Sequence, residues 1–149
     1  MKVREFKAED TEYIRSVLIN VRVFKPQEIQ CALEIIELCL TNPQQSDYRL
    51  RCIIDESNKP LGYACYGKTP LTDGVYDLYW IAVDPLCHNR GIGGLLLKYV
   101  ENDISQEKAR MLVAETSSLE IYEKTRLFYQ HHNFLHLASI PDFYEIGDD

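Results

Sequence analysis

Val83-Asp84-Pro85-Leu86-Cys87-His88-Asn89-Arg90-Gly91-Ile92-Gly93-Gly94 is the stretch on which the fold of this chain turns. A run rich in aromatic and β-branched residues, 75–83, leads into it and reads as a strand. Ile92, Leu95, Leu96, Tyr99 and Val100 lead out of it at the spacing of one helical face. Between them Asp84-Pro85 breaks the strand, and three glycines fall where the helix begins. The first N–H groups of a helix have no partner within it and face outward, with the positive end of the helix dipole behind them. Glycine lets a ligand approach that backbone closely. A diphosphate satisfies such donors, and Arg90 adds a permanent positive charge beside them.

The spacing excludes two common phosphate sites. A dinucleotide-binding G-x-G-x-x-G would need glycine three places beyond Gly93, where Leu96 stands. A nucleoside-triphosphate loop would end in G-K-[ST], where this chain has Gly93-Gly94-Leu95. A tight turn that holds no ligand remains the other reading of these glycines.

Working outward, residues 3–6 read as a first strand. Asp10 reads as the N-cap of a helix carrying Tyr13, Ile14, Val17, Leu18 and Val21. Pro26 opens a second helix with Ile29, Ala32, Leu33, Ile36 and Leu40 on one stripe, and Asn42-Pro43 stops it. Runs 48–54, 61–68 and 75–83, separated by the turn signals at 55–60 and 70–74, predict an antiparallel meander. Residues 111–114 read as a buried strand. Ser117 and Glu120 match a capping box opening a helix with Tyr122, Thr125, Phe128 and Tyr129. Asn133 suits the left-handed residue that ends that helix. Residues 134–140 read as a last strand. The expected architecture is a single α/β domain over residues 1–149, a mixed sheet of about six strands flanked by helices.

These residues resemble the GNAT superfamily of acetyl-CoA-dependent N-acetyltransferases. Its acyl-CoA signature, [QR]-x-x-G-x-[GA], falls between a central strand and a helix; here His88, Gly91 and Gly93 occupy those positions. His88 departs from the usual Gln or Arg. The likeness continues through residues 76–85 and into Thr125-Arg126-Leu127-Phe128-Tyr129 with Asn133-Phe134, similar to the family's T-R-x-F-Y…G-F run, with Asn133 in place of Gly. The family's closing strand finds no counterpart before Asp149: either the chain is trimmed there or a sheet edge lies open, and an open edge would make a homodimer plausible.

The resemblance implies that acetyl-CoA gives its acetyl group to an amine by direct attack in a ternary complex. It places the diphosphate on the backbone of His88, Asn89, Arg90, Gly91, Ile92, Gly93 and Gly94. The pantetheine arm would pair with Ile81, Ala82 and Val83 as an added strand, with Tyr122 and Phe128 alongside the coenzyme. Tyr129 is the expected general acid, since a phenol stays protonated at neutral pH, with Tyr122 in reserve. Glu115 and Asp77 are the expected bases, acting through water; alternation puts Asp77 on one face with Tyr79, Ile81 and Val83, unless a bulge shifts it. A backbone N–H near residues 81–83 would take the carbonyl oxygen. The alternative on the same fold is a non-catalytic acyl-CoA-binding or regulatory module. The amine, a small molecule or a peptide, is not legible; loops 22–26 and 69–74 are the candidates for lining its pocket.

Charge and composition narrow the remaining classes. Sixteen Lys and Arg against 23 Asp and Glu give a net charge of −7, which argues against a nucleic-acid partner and suits a cationic one. No apolar run approaches the ~20 residues of a membrane span, and the N-terminus shows no signal-peptide pattern. Five cysteines without a C-x-x-C pair read as buried thiols of a reducing compartment, so a cytoplasmic location is expected. His131, His132 and His136 are not expected to hold a metal, because Asn133 interrupts their helix. Cys87 has no evident His/Asp partners, and direct transfer needs no nucleophile.

Overall fold

A computed structural model describes residues 1–88 and 90–149. The chain forms two compact units, Met1–Ala114 and Glu115–Asp149.

The first unit is a five-stranded sheet in the order β1-β2-β3-β4-β5, with strands β1 (Lys2–Glu5), β2 (Arg49–Ile54), β3 (Pro60–Lys68), β4 (Val75–Val83) and β5 (Met111–Val113). β2, β3 and β4 form the antiparallel meander that the turn signals predict, β1 pairs antiparallel with β2, and β4 pairs with β5 in parallel. Helices α1 (Thr11–Val21) and α2 (Pro26–Thr41) cover one face. Ile14, Val17, Leu18, Ala32 and Ile36 pack there against Leu50, Cys52, Ile54, Tyr63, Cys65 and Ala82. Helix α3 (Ile92–Ser105) buries Ile92, Leu96, Leu97, Val100 and Ile104, and its Asp103 accepts a hydrogen bond from Tyr66 of β3 at 2.6 Å. Leu95, expected on that inner face, is exposed. Between these two helical layers β3 is buried from Leu61 to Gly67.

Asp10 precedes α1 as expected but makes no side-chain cap. Its carboxylate instead accepts Arg4 Nη1 and Nη2 at 2.7 and 2.8 Å and the Lys7 amide at 2.8 Å, holding β1 to the start of the helix. Cys52, Cys65 and Cys87 are buried free thiols, whereas Cys31 is exposed, on the outer side of α2.

The second unit holds helix α4 (Glu123–His131), preceded by a 3-10 turn at Glu120–Tyr122. The expected capping box is not formed. Ser117 Oγ donates to Asp148 at 2.6 Å and accepts the Leu119 amide at 3.0 Å, so this serine ties the tail down rather than opening the helix. Asn133 does take the left-handed conformation just past the helix, at φ 63°. Residues 134–140 form no strand, which reduces the expected six strands to five. A strand exists only as part of a hydrogen-bonded ladder, and within this unit the one bridge is Glu145 with Asp148. Apolar alternation without a partner leaves Leu135 and Leu137 exposed. Among the described residues no helix is long and apolar enough to cross a membrane.

Candidate functional site

Two features of β4 shape the site. Opposite β3, Cys65 pairs with Trp80 and Tyr66 with Leu78, so Tyr79 is an extra residue in a β-bulge. A bulge reverses the alternation beyond it. Before it, Tyr76 points toward α3, its hydroxyl donating to Glu107 at 2.8 Å. After it, Trp80 and Ala82 join the core under α1 and α2. The simple alternation that grouped Asp77 and Tyr79 with Ile81 and Val83 is therefore broken: Asp77 and Tyr79 lie on the α1/α2 face, while Ile81 and Val83 turn to the other. The second feature is the short length of β5. It accompanies β4 only from Val75 to Asp77, so from Leu78 onward one edge of β4 has no neighbouring strand among the described residues. The backbone groups of Ile81 and the Val83 amide face that edge and are available to an extended ligand, whereas those of Ala82 face β3.

The turn after β4 is braced from inside. Asp84, 7% exposed, accepts the Leu86 amide at 2.9 Å on one oxygen and the Tyr13 hydroxyl on the other. Its own amide donates to Leu61 O at 2.8 Å. These contacts tie the turn to α1 and β3 together. His88, expected to offer its backbone to the ligand, sets its ring Nε2 2.9 Å from Val83 O. A carbonyl can only accept, so that nitrogen carries the hydrogen and closes the turn onto the strand end. Asn89, also expected to line the ligand, lies outside the described residues. Gly91 sits at φ 72°, ψ 8°, immediately before α3, and no side chain caps the helix. A Cβ built on Gly91 meets no atom of the described residues within 4 Å. The first turn of α3, Ile92-Gly93-Gly94, thus opens behind a left-handed glycine, with Arg90 exposed beside it. Backbone donors, dipole and cation together suit a diphosphate.

Near the start of β4, Asp77 Oδ2 accepts the Thr69 hydroxyl at 2.7 Å. The Tyr79 ring stands edge-on to Tyr48, with centroids 5.1 Å apart. Burial, and then the charge of Asp77, push the Tyr79 phenol up to about 12. Thr69 opens the expected acceptor loop 69–74, whereas Tyr48 was not among the expected site residues. Nothing in linear spacing joins 48 to 79; only the β2–β3–β4 meander does. Phe24, in the loop between α1 and α2, packs on Trp80 at 5.3 Å, which brings one of the two expected acceptor loops to this face.

In the second unit Tyr129 packs on Phe128 and Phe134, at 5.5 and 5.1 Å between centroids. Burial, with a contribution from Tyr144, raises its phenol to about 12. Tyr122 is half-buried and Glu115 is exposed, two residues beyond the end of β5. Cys87 is 9% exposed, a poor position for a nucleophile. Among the described residues no three His, Cys, Asp or Glu side chains gather as a metal site.

The site is thus a sheet whose fourth strand bulges, loses its neighbour along one edge and feeds a glycine-opened helix. The acetyltransferase (GNAT) domain model matches residues 48–135, and the chain belongs to that family. No curated protein matches it. Among solved structures, a protein described as a GNAT-family acetyltransferase from Desulfovibrio desulfuricans is 36% identical, with a TM-score of 0.91, covering 99% of this chain and 92% of its own. The PaiA N-acetyltransferase from Thermoplasma acidophilum, solved with coenzyme A, shares the fold at 12% identity and a TM-score of 0.76, covering 93% and 92%. AAC(6')-Iy, solved with the bisubstrate analogue CoA-S-monomethyl-acetylneamine, does so at 16% identity and a TM-score of 0.71, covering 97% and 96%.

Proposed function

We propose that this chain, acting as one catalytic domain, transfers the acetyl group of acetyl-CoA to an amine by direct attack in a ternary complex. The observation that carries the reading is the uncapped start of α3 behind left-handed Gly91, next to an unaccompanied strand edge. In this reading the amides of residues 88–94 and the charge of Arg90 hold the diphosphate. The free edge at Ile81 and Val83 pairs with the pantetheine arm, and Tyr122 and Phe128 contact the coenzyme. When bound, acetyl-CoA supplies an activated thioester.

The chain's own groups then have three tasks. A backbone N–H among residues 81–83 donates to the carbonyl oxygen as charge develops on it. A carboxylate, Asp77 or Glu115, takes the amine's proton through water. Tyr129, protonated at neutral pH as phenols are, gives its proton to the departing sulfur and regains one from solvent. Positioned acids and bases of this kind contribute about 10²–10⁴-fold each.

Tyr129→Phe tests the assignment. Acetyl-CoA affinity by calorimetry should be unchanged, while amine-dependent thiol release falls by about 10²-fold or more. Unchanged turnover would remove Tyr129 from the mechanism. Tight coenzyme binding with no turnover on any amine, in the unmodified protein, would favour a coenzyme-binding regulatory module.

A further inference from the structure

The face of β4 that carries Asp77 has more built into it than a proton acceptor requires. Tyr79 occupies the bulge and is 38% exposed. Its ring meets Tyr48 edge-on, and a Cβ on Gly67 would lie 3.4 Å from Tyr79 Cε2 and 1.9 Å from Asp47 O. A side chain at position 67 would thus collide with the 47–48 backbone, and glycine there lets the Tyr48 segment close onto β3. Asp77 is fixed by Thr69, whose amide donates to Val75 O at 2.9 Å and whose carbonyl accepts Thr72 Oγ1 at 2.7 Å. The hydroxyls of Thr69 and Tyr79 both engage the Asp77 carboxylate and together use part of the roughly four acceptor positions of such a group. Burial raises both phenols first, and the charge of Asp77 raises Tyr79 further.

We propose that Tyr48, Tyr79 and Asp77 form the recognition subsite for the acceptor's ammonium head, so that the acceptor class is an alkylammonium that enters charged. Aromatic faces attract cations through the ring quadrupole, and a carboxylate beside them adds a full counter-charge. Both reject a neutral group of the same shape and an acid-bearing amine. The proposal rests on the acetyltransferase reading and extends it. The amine is captured in the form in which it exists at neutral pH, beside the group proposed to take its proton.

The test uses choline and its uncharged isostere 3,3-dimethylbutan-1-ol, neither of which presents an amine to acetylate, titrated into the full-length protein and followed by the tyrosine ring resonances. Choline should bind saturably, about tenfold or more tighter than the alcohol, and shift the rings of Tyr48 and Tyr79. Tyr79→Leu should weaken choline by about five- to thirtyfold, the span of one desolvated cation–ring contact. Tyr79→Phe, which keeps the ring face, should retain it, and Asp77→Asn should weaken it. Equal binding of choline and the alcohol, or choline binding that survives Tyr79→Leu, overturns the proposal. If the leucine variant fails to fold, the comparison of the two probes on the unmodified chain still decides. Acetyl-CoA titrated into the same samples separates the two levels. Coenzyme binding without choline selectivity sinks only the ammonium subsite, and absent coenzyme binding sinks the acetyltransferase reading itself.

Discussion

Replacing Gly91 by alanine separates a ligand cradle from a mere turn, because the structure supplies its own control. Gly91 has φ 72° and Gly147 has φ 87°, and a Cβ added at either meets no atom of the described residues within 4 Å. Alanine at each site therefore incurs backbone strain without a clash against those residues. That strain is about 1–2 kcal/mol for an L-residue in the left-handed region. For a chain of this size it corresponds to a fall in Tm of about 2–8 °C, measured by scanning calorimetry. Coenzyme affinity should diverge. If the space before α3 receives the diphosphate, a methyl at position 91 stands in it and disturbs at least one charge-assisted N–H bond, worth about 1.5–3 kcal/mol. Calorimetric titration should then show acetyl-CoA binding weakened about 10- to 150-fold in Gly91→Ala. Gly147→Ala, strained alike but in the tail, should bind as the unmodified protein does. Equal affinities in both variants would mean that the glycine turn serves only the chain's own geometry.

Two further expectations concern stability. Burial alone would raise the Asp10 carboxyl, but the bonds from Arg4 and Lys7 more than reverse it and leave its pKa below the ordinary value. Its contribution is thus complete above the unfolded pKa of about 4 and is lost as pH falls through the lower folded value. Arg4→Ala should cost about 3–5 kcal/mol at pH 7 by denaturant titration, since a nearly inaccessible charge loses its partner, and should flatten that acid limb. Tyr63→Phe should leave stability unchanged or raise it by up to about 2 kcal/mol, because the buried Tyr63 hydroxyl finds no partner among the described residues. A marked loss on removing that oxygen would reveal a bond the structure does not contain.

The α1, α2 and β2–β4 elements were legible because their signals are local: Pro26 at a helix start, period-2 runs between turn residues, and apolar stripes that do face the core. The glycine turn was legible for the same reason. The bulge at Tyr79 was not, since residue 79 is the residue any regular strand would carry; only pairing against β3 exposes the extra position. Residues 134–140 have a strand's alternation, yet alternation specifies a face to bury and cannot supply the neighbour that makes a ladder. Ser117 fitted a capping pattern but is claimed by Asp148, 31 positions away. The bond from the His88 ring to the Val83 carbonyl has no signal in the sequence, since it depends on how the turn folds back on the strand end. Tyr48 joins Asp77 only through the meander.

The most direct test of the account is whether the start of α3 holds a diphosphate at all. Acetyl-CoA and S-acetylpantetheine, which lacks the diphosphate, should be titrated calorimetrically into the purified chain under identical salt. Saturable binding of acetyl-CoA with little or none for S-acetylpantetheine is the expected result. No heat from acetyl-CoA at millimolar concentration, or equal affinity for the two, would contradict the site.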